Sequence, residues 1–227
     1  MNIRKIIYSI NVIFFFFAVS LFSIEAADAA SIETKSLSSS EIAVSSPIAG
    51  AAIGNTSAEA LLMPRNDLPG LKNFARVSDE LYRGQQPDAE GFRQLKKMGI
   101  KTVINLRAFH SDRSMMKGLK LRYHNINFNT WHAEDEDVVD FLKIVTNKKY
   151  HPVFVHCQHG SDRTGTMVAI YRVAVQGWKM ERAMEELPNF GFHAIWVNLK
   201  TYLKAFDPKA IMKKVREAEE PEVEIIY

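Results

Sequence analysis

The chain has 227 residues, of which 47% are hydrophobic and 24% charged, a composition that can fill the core of a globular protein. Its formal net charge of +3 is too small to indicate nucleic-acid binding, and the basic residues are spread along the chain. The single cysteine excludes an intramolecular disulfide and a multi-cysteine metal site. A lone cysteine is usually a small buried side chain, so its neighbours decide its role.

Residues 1–29 have the pattern of a signal peptide. Arg4 and Lys5 precede an apolar stretch over residues 6–24, and the small residues that follow predict cleavage after Ala29. The apolar stretch is nearly long enough to span a bilayer, so an uncleaved membrane anchor is the alternative. Both interpretations predict an exported protein, periplasmic or secreted, that contacts the membrane only through this segment.

Residues 30–66 are rich in Ser and Ala and show no sustained period of 2 or 3.6 residues. Such a composition predicts a flexible linker. The patterned part of the sequence begins after it. We predict a single domain over residues 67–215, followed by a charged C-terminal tail over residues 216–227.

Strands and helices alternate within this domain. β-Rich composition predicts strands or hairpins at residues 74–82, 101–106, 121–128 and 152–155. Asp88 is a predicted N-cap of a helix that Gly99 ends. A second helix begins near Asp135, with an apolar stripe at Val138, Val139, Leu142 and Val145. Residues 164–175 are apolar nearly all round and predict a buried helix. This alternation predicts an α/β layer structure.

The most informative stretch is HCQHGSDRTG, residues 156–165, between the apolar strand and the buried helix. The free N–H groups and the dipole of a helix N-terminus attract anions. The loop is long enough to wrap once around a phosphate, with N–H groups forming a nest for its oxygens. Arg163 can offer a two-pronged contact to two of those oxygens. The predicted phosphate-binding residues are Gln158, His159, Gly160, Ser161, Asp162 and Arg163.

The same geometry predicts a reactive Cys157. Cysteine pKa values fall to about 3.5–7.5 at helix N-termini beside cations. We therefore expect the Cys157 thiolate to attack phosphorus and form a phosphocysteine that water hydrolyses. Thr164 either donates its hydroxyl to the sulfur or only caps the helix. His156 is expected to orient the loop through hydrogen bonds instead of binding a metal, and Asp162 to bond the loop backbone.

The string HCxxGxxRTG resembles the signature of the protein tyrosine and dual-specificity phosphatase superfamily. The resemblance runs from about residue 74 to residue 206 and includes LYRGQQP at residues 81–87. It is nearest to compact exported bacterial members. It implies a cysteine-dependent phosphatase whose central, mostly parallel sheet is flanked by helices. It also implies that neither a metal nor an organic cofactor is needed.

The resemblance implies a separate loop whose aspartate gives a proton to the leaving group, and residues 129–137 correspond to it. We predict Asp135 as this general acid and Asp137 as the second candidate. Acidic residues also suit the first turn of a helix, and Asp135 could be only an N-cap.

The phosphate-binding loop contains no lysine, whereas phosphatases of highly charged inositol phosphates often carry lysines there. This charge balance predicts a phosphotyrosine protein as the substrate. Three alternatives remain: an inositol phosphate phosphatase, a non-catalytic phosphate-binding module of the same fold, and a rhodanese-type sulfur-transfer protein. Arg163, Thr164 and Gly165 at the entry of a buried helix favour phosphate chemistry.

Overall fold

The structure is a computed structural model that describes residues 60–227. The predicted signal peptide at residues 1–29 and most of the predicted linker lie outside the described residues. Within the described part, no helix is long and apolar enough to cross a membrane.

A six-stranded sheet lies at the centre of the domain. Its strands are β1 (Ala75–Arg76), β2 (Leu81–Gln85), β3 (Thr102–Asn105), β4 (Leu121–Asn125), β5 (Val153–Cys157) and β6 (Glu224–Ile226). Their spatial order is β1-β2-β5-β3-β4-β6. The four inner strands are parallel to one another, and the two edge strands run antiparallel to their neighbours. The predicted α/β fold with a mostly parallel sheet is confirmed.

Helices cover both faces of the sheet. They are α1 (Ala89–Lys97), α2 (Arg113–Met116), α3 (Asp135–Val145), α4 (Asp162–Ala174), α5 (Met180–Glu185), α6 (Val197–Ala205) and α7 (Pro208–Glu217). One core lies under α1 and α2, and a larger one contains the buried side chains of α3, α4, α6 and α7. Asp88 caps α1 as predicted, because its carboxylate accepts a 2.9 Å hydrogen bond from the Gly91 N–H.

The two helices nearest the predicted site follow the sequence pattern closely. The apolar stripe predicted on α3 is buried throughout. α4 is buried nearly all round, as its composition predicts, but it begins at Asp162, two residues earlier than expected. Arg163 therefore lies inside the first helical turn instead of preceding it.

Both predicted domain limits need correction. The Leu62 N–H donates to Glu186 at 3.0 Å, and the Asn189 amide donates to the Leu62 carbonyl at the same distance. At the other end, residues 216–227 contain the end of α7 and all of β6, which pairs with β4 and buries Ile226. The three residues of β6, one of them charged, form too short a pattern to predict a strand from the sequence. They adopt the strand conformation because they pair with β4.

The parallel arrangement positions the candidate site. The parallel strands β2, β3, β4 and β5 all end on the same side of the sheet, and a loop follows each of them there. Ligands of open α/β sheets bind beyond these carboxyl ends of the strands. The fold thus brings the loop after Cys157 and the loop before α3 to the same side of the domain.

Candidate active site

Cys157 is the last residue of β5 and is 3% exposed. It is a free cysteine. Residues 158–161 connect it to α4, so its sulfur lies at the junction of a central strand and a helix N-terminus. This is the strand–loop–helix context that the sequence predicts.

The first turn of α4 is open to an anion. Its N-cap residue, Ser161, makes no side-chain capping bond. The Ser161 hydroxyl instead donates to the Asp162 carboxylate at 3.1 Å. Because the first N–H groups of a helix have no partner within the helix, they remain available to a ligand in front of it.

Three consecutive carbonyls of the loop are bound by donors outside it. The Gln158 carbonyl accepts from the Gln86 N–H at 3.4 Å, and the His159 carbonyl from the Asn73 amide at 2.9 Å. The Gly160 carbonyl accepts from the Arg83 guanidinium at 2.7 Å.

The orientation of these carbonyls fixes the orientation of the N–H groups. In a trans peptide the C=O and the following N–H point in opposite directions. The N–H groups of His159, Gly160 and Ser161 therefore point away from the outside donors, toward the concave side of the loop. Such a row of N–H groups is an anion-binding nest.

Gly160 lets the loop lie directly on the end of β2. Its φ is +71°, which disfavours other residues. A Cβ atom there would lie 2.5 Å from backbone atoms of Gly84 and Gln85. Only glycine fits this contact without moving the backbone.

The Arg163 side chain extends from α4 over the carboxyl end of β3. Its guanidinium donates to the Leu106 carbonyl, just after β3, at 3.3 Å. The side chain is half-buried, so one side is held by the protein and the rest can face a ligand. This position suits the predicted contact to two phosphate oxygens.

His156 is fully buried behind the loop. Its Nδ1 lies 3.3 Å from the Cys157 carbonyl. Its Nε2 lies 3.0 Å from Asp112 Oδ2, although the angle is not that of a hydrogen bond. Asp112 is also fully buried and accepts from the Gln86 amide at 2.7 Å. His156 is thus placed to orient the loop, and its ring packs against those of Phe92 and Phe154.

Thr164 and Asp162, two further residues of the motif, differ in whether their side chains have hydrogen-bond partners. The Thr164 hydroxyl is buried and has no hydrogen-bond partner within residues 60–227, and Ser161, not Thr164, is the N-cap of α4. The Asp162 carboxylate accepts from the His193 N–H at 2.7 Å. Asp162 therefore bonds the backbone of the segment before α6 instead of the backbone of its own loop.

Asp135 and Asp137 lie in the first turn of α3 and have opposite electrostatic surroundings. The Asp135 carboxylate accepts from Lys214 at 2.6 Å and from the Tyr202 hydroxyl at 2.8 Å. The hydrogen bond from Lys214 is the main cause that lowers the pKa of Asp135. Glu134, not Asp135, is the N-cap of the helix.

Asp137 is half-buried, and this burial raises its pKa to about 7. The neighbouring charges of Glu134, Asp140 and Glu136 act in the same direction. A carboxyl group must hold its proton near neutral pH to act as a general acid. Asp137 meets this requirement, and Asp135 does not.

The segment before α3 contacts residues 193–198, which form the segment before α6 and the start of that helix. The Thr130 carbonyl accepts a hydrogen bond from the Asn198 amide. The rings of Trp131 and Trp196 meet edge to face, with their centroids 4.8 Å apart. Since His193 in the same segment binds Asp162, these contacts link residues 129–134 to the loop around Cys157.

Arg107, which follows β3, is a further cation beside the site. Its guanidinium donates to the Gln86 side-chain oxygen. Burial and the nearby charge of Arg163 lower the pKa of Arg107, whereas Asp112 and Cys157 oppose this effect. Arg107 therefore lies within electrostatic range of both Arg163 and the Cys157 sulfur.

The family model described as "Tyrosine phosphatase family" matches residues 69–223. The chain belongs to this family. A relative is the dual specificity protein phosphatase TpbA of Pseudomonas aeruginosa, 32% identical over 121 residues, which are 53% of this chain and 55% of TpbA. Another is the inositol diphosphatase DSP3 of Arabidopsis thaliana, 30% identical over 50% of this chain and 60% of DSP3. The chain thus spans little more than half the length of these relatives.

Solved structures of TpbA and Siw14 share the fold. The crystal structure of TpbA superposes with a TM-score of 0.61 and 26% identity, covering 70% of this chain and 99% of that one. A Cys-to-Ser variant of TpbA in complex with phosphotyrosine superposes with the same TM-score and 25% identity, covering 72% and 100% of the two chains. The Siw14 catalytic core, at 18% identity with a TM-score of 0.57 over 70% of this chain and 95% of that one, shares the fold.

Sequence reasoning missed the residues that support the loop from outside. Arg83 and Gln86 lie in the LYRGQQP segment, which carries part of the family resemblance, so a signal for them was present. Asn73 gave no such signal, because nothing local distinguishes it from a turn residue. Asp112 gave none either, since its burial depends on strands that are distant in sequence.

Proposed function

We propose that this protein hydrolyses phosphomonoesters as a cysteine-dependent protein tyrosine or dual-specificity phosphatase. The observation that carries the proposal is the orientation of the loop around Cys157, whose carbonyls are bound from outside so that its N–H groups face inward. A phosphoryl group bound there would lie in front of the α4 N-terminus and beside Arg163. Membership of the tyrosine phosphatase family supports the same chemistry.

The proposed reaction has two displacement steps. The Cys157 thiolate attacks phosphorus, an S–P bond forms, and the P–O bond to the leaving group breaks while that oxygen takes a proton from an acid. Water then attacks the phosphocysteine and gives its proton to the conjugate base of that acid. Phosphate leaves and the thiolate is regenerated. Arg163 and the loop N–H groups stabilise the charge on the phosphoryl oxygens in both steps.

For the proton donor we propose Asp137, the second candidate from the sequence. Its raised pKa keeps part of the carboxyl protonated at neutral pH, whereas Asp135 is held ionised by Lys214. Trp131 contacts Trp196 in the segment whose His193 binds Asp162, and this contact supports a position of the loop near the phosphate.

For the substrate we propose phosphotyrosine in a protein. The TpbA variant in complex with phosphotyrosine supports this class. An inositol phosphate is the second candidate, because Arg107 adds a cation beside Arg163 and because one relative is named an inositol diphosphatase. The rates of the full-length protein on a phosphotyrosine peptide and on an inositol polyphosphate decide between them. Arg107→Gln should reduce the inositol polyphosphate rate more.

We further propose that the protein is exported, with residues 1–29 as a cleaved signal peptide. The basic start, the apolar stretch and the small residues near Ala29 support this proposal. The N-terminal sequence of the protein in periplasmic and membrane fractions tests it. A protein that keeps residues 1–29 in the membrane would indicate an anchor instead, and a cytoplasmic protein would refute export.

The decisive experiment is hydrolysis of p-nitrophenyl phosphate by the full-length protein. Cys157→Ser should abolish turnover, and Arg163→Lys should reduce it by about 100-fold or more, since the two-pronged contact is lost. Arg76→Lys on the exposed strand β1 is the matched control and should be unaffected. Acid quenching with radiolabelled substrate should trap a phosphocysteine. Phosphotyrosine binding without turnover would identify a non-catalytic module.

A further inference from the structure

Arg83 carries a buried guanidinium that has no carboxylate partner within the part of the chain that the structure describes. It lies in β2 and is 1% exposed. Its Nε has no hydrogen-bond partner, and no carboxylate lies within ion-pair distance of it among residues 60–227. The buried Arg172, by contrast, pairs with Glu186 at 2.9 Å. A buried charge without a counter-charge is strongly unfavourable, so Arg83 requires compensation from another source.

The position of Arg83 indicates that source. β2 and β5 are parallel, with Arg83 opposite Val155 and Gln85 opposite Cys157. Because alternate residues of a strand share a face, Arg83 points to the same side of the sheet as Cys157. Its guanidinium donates to the Gly160 carbonyl and lies 3.9 Å from the place of a Cβ on Gly165. It therefore lies beneath the loop that connects Cys157 to α4.

The electrostatic surroundings agree with this position. Burial lowers the pKa of Arg83 to about 9. The negative charge of Cys157 is the largest effect that opposes the lowering, and Glu186, which pairs with Arg172, adds a smaller effect in the same direction. The Arg83 guanidinium also stacks on the Phe190 ring, 3.6 Å from its centroid. A ring face attracts a cation but does not neutralise it.

We propose that Arg83 and the Cys157 thiolate are counter-charges for each other across the phosphate-binding loop. Arg83 is then a positioning residue that stabilises the thiolate from the protein interior, while Arg163 acts from the ligand side. The inference rests on the proposed function only in that Cys157 is the nucleophile. The competing interpretation gives Arg83 a purely structural role as a donor to Gly160.

The single cysteine allows a test that does not depend on catalysis. The rate of alkylation by iodoacetamide, measured against pH in the full-length protein, reports the thiolate fraction of Cys157 alone. The other titratable and charged groups near the site also affect the pH midpoint of alkylation, but they are present in every variant, so their contributions cancel when midpoints are compared. These groups are His156, His159, Asp162, Arg163, Arg107, Asp112, Arg172, Glu186 and His193.

Two substitutions at Arg83 separate charge from hydrogen bonding. Arg83→Gln keeps an N–H donor but removes the charge, and it should move the alkylation midpoint upward by about one pH unit. Arg83→Lys keeps the charge and should move the midpoint by less than half of that. Arg76→Gln removes a cation from the neighbouring strand β1, where it is exposed, and should leave the midpoint unchanged. Equal midpoints for wild type and Arg83→Gln would overturn the proposal.

A second measurement keeps the proposal falsifiable if Arg83→Gln does not fold. Wild type should gain stability over Cys157→Ser when the pH is raised, because only the wild type then supplies the anion that compensates Arg83. This extra stability should be present at about pH 8, where Arg83 still carries its charge, and be lost as the pH falls through the alkylation midpoint. A difference in melting temperature that does not change with pH would contradict the proposal.

The outcomes also distinguish this inference from the proposed function. If the protein lacks phosphatase activity but the alkylation midpoint shifts, the counter-charge pair exists and the proposed function fails. If the protein is active but the midpoint does not shift, the proposed function stands and Arg83 is only structural.

Discussion

The loop around Cys157 and the loop at residues 129–134 flank the same site but are held in different ways. Outside donors bind three consecutive carbonyls of the Cys157 loop, and the donors Arg83, Asn73 and Gln86 all come from the β1–β2 region. The loop at residues 129–134 contacts its surroundings through one amide of Asn198, a pair of tryptophan rings and the packing of Ala133 against the core, and Trp131 is 74% exposed. A rigid nest beside a lightly held loop suits a reaction that binds phosphate tightly and releases its leaving group.

The largest effect is expected from Gly160→Ala, which disrupts the firmly held loop around Cys157. The added Cβ would overlap the backbone of β2, so activity should fall by more than about 100-fold and the free energy of unfolding by roughly 2–4 kcal/mol. Urea unfolding and p-nitrophenyl phosphate hydrolysis measure the two. Gly118→Ala is the matched control, because its φ is +83° with no atom within 4 Å of the added Cβ. Equal losses in both variants would show that the contact with β2 is unimportant.

Asp137→Asn should produce the next largest effect. The rate on phosphotyrosine should fall by about 100-fold, because its phenoxide is a poor leaving group that needs a proton. The rate on p-nitrophenyl phosphate should fall much less. Because the pKa of Asp137 is raised to about 7, the protonated donor is lost above that pH. The wild-type kcat should therefore decline above pH 7, and the Asn variant should not show this decline. Asp79→Asn replaces an exposed aspartate at the opposite end of β2 from the site, so it is the control and should behave as wild type.

Asp135→Asn should affect stability more than activity. The substitution weakens the contacts with Lys214 and Tyr202, so the melting temperature should fall slightly while the rate on phosphotyrosine changes by less than about twofold. Because the pKa of Asp135 is lowered, its stabilising effect should be present at neutral pH and be lost at acidic pH. Lys214→Gln should give the same loss of stability. A tenfold loss of activity in Asp135→Asn would restore it as the general acid.

The smallest effect is expected from Trp131→Ala, which loosens the loop that is already lightly held. Losing the contact with Trp196 should lower kcat on phosphotyrosine by about threefold, in line with the modest energy of an aromatic pair. The KM for p-nitrophenyl phosphate should not change. Phe109→Ala removes another exposed aromatic side chain and is the control. An unchanged kcat on phosphotyrosine would mean that the ring pair does not position this loop.

The sequence predicts those parts of the molecule whose pattern is local. β5 starts with an apolar run, α4 is apolar nearly all round after its first turn, α3 carries a regular stripe, and Asp88 caps α1, so these elements could be predicted from neighbouring residues. β6 could not, because a three-residue strand acquires its structure only from β4. The position of Cys157 between β5 and α4 was readable for the same reason.

The site was less predictable where it depends on distant contacts. The choice between Asp135 and Asp137 turns on Lys214 and Tyr202, which come from α7 and α6. Both aspartates suit a first helical turn equally well, so composition cannot separate them. The buried Arg83 likewise acquires its role from β5 and α4.

β6 has a consequence for self-association. Its three residues cover the edge of β4 by pairing with Leu121, Arg122 and Tyr123. An uncovered strand edge is a template for pairing with a second molecule. Removal of residues 221–227 would expose β4, which is separated from β5 and Cys157 by β3, and the apolar surface that Ile226 covers. Loss of this short segment would thus be expected to cause aggregation before it impaired phosphate chemistry.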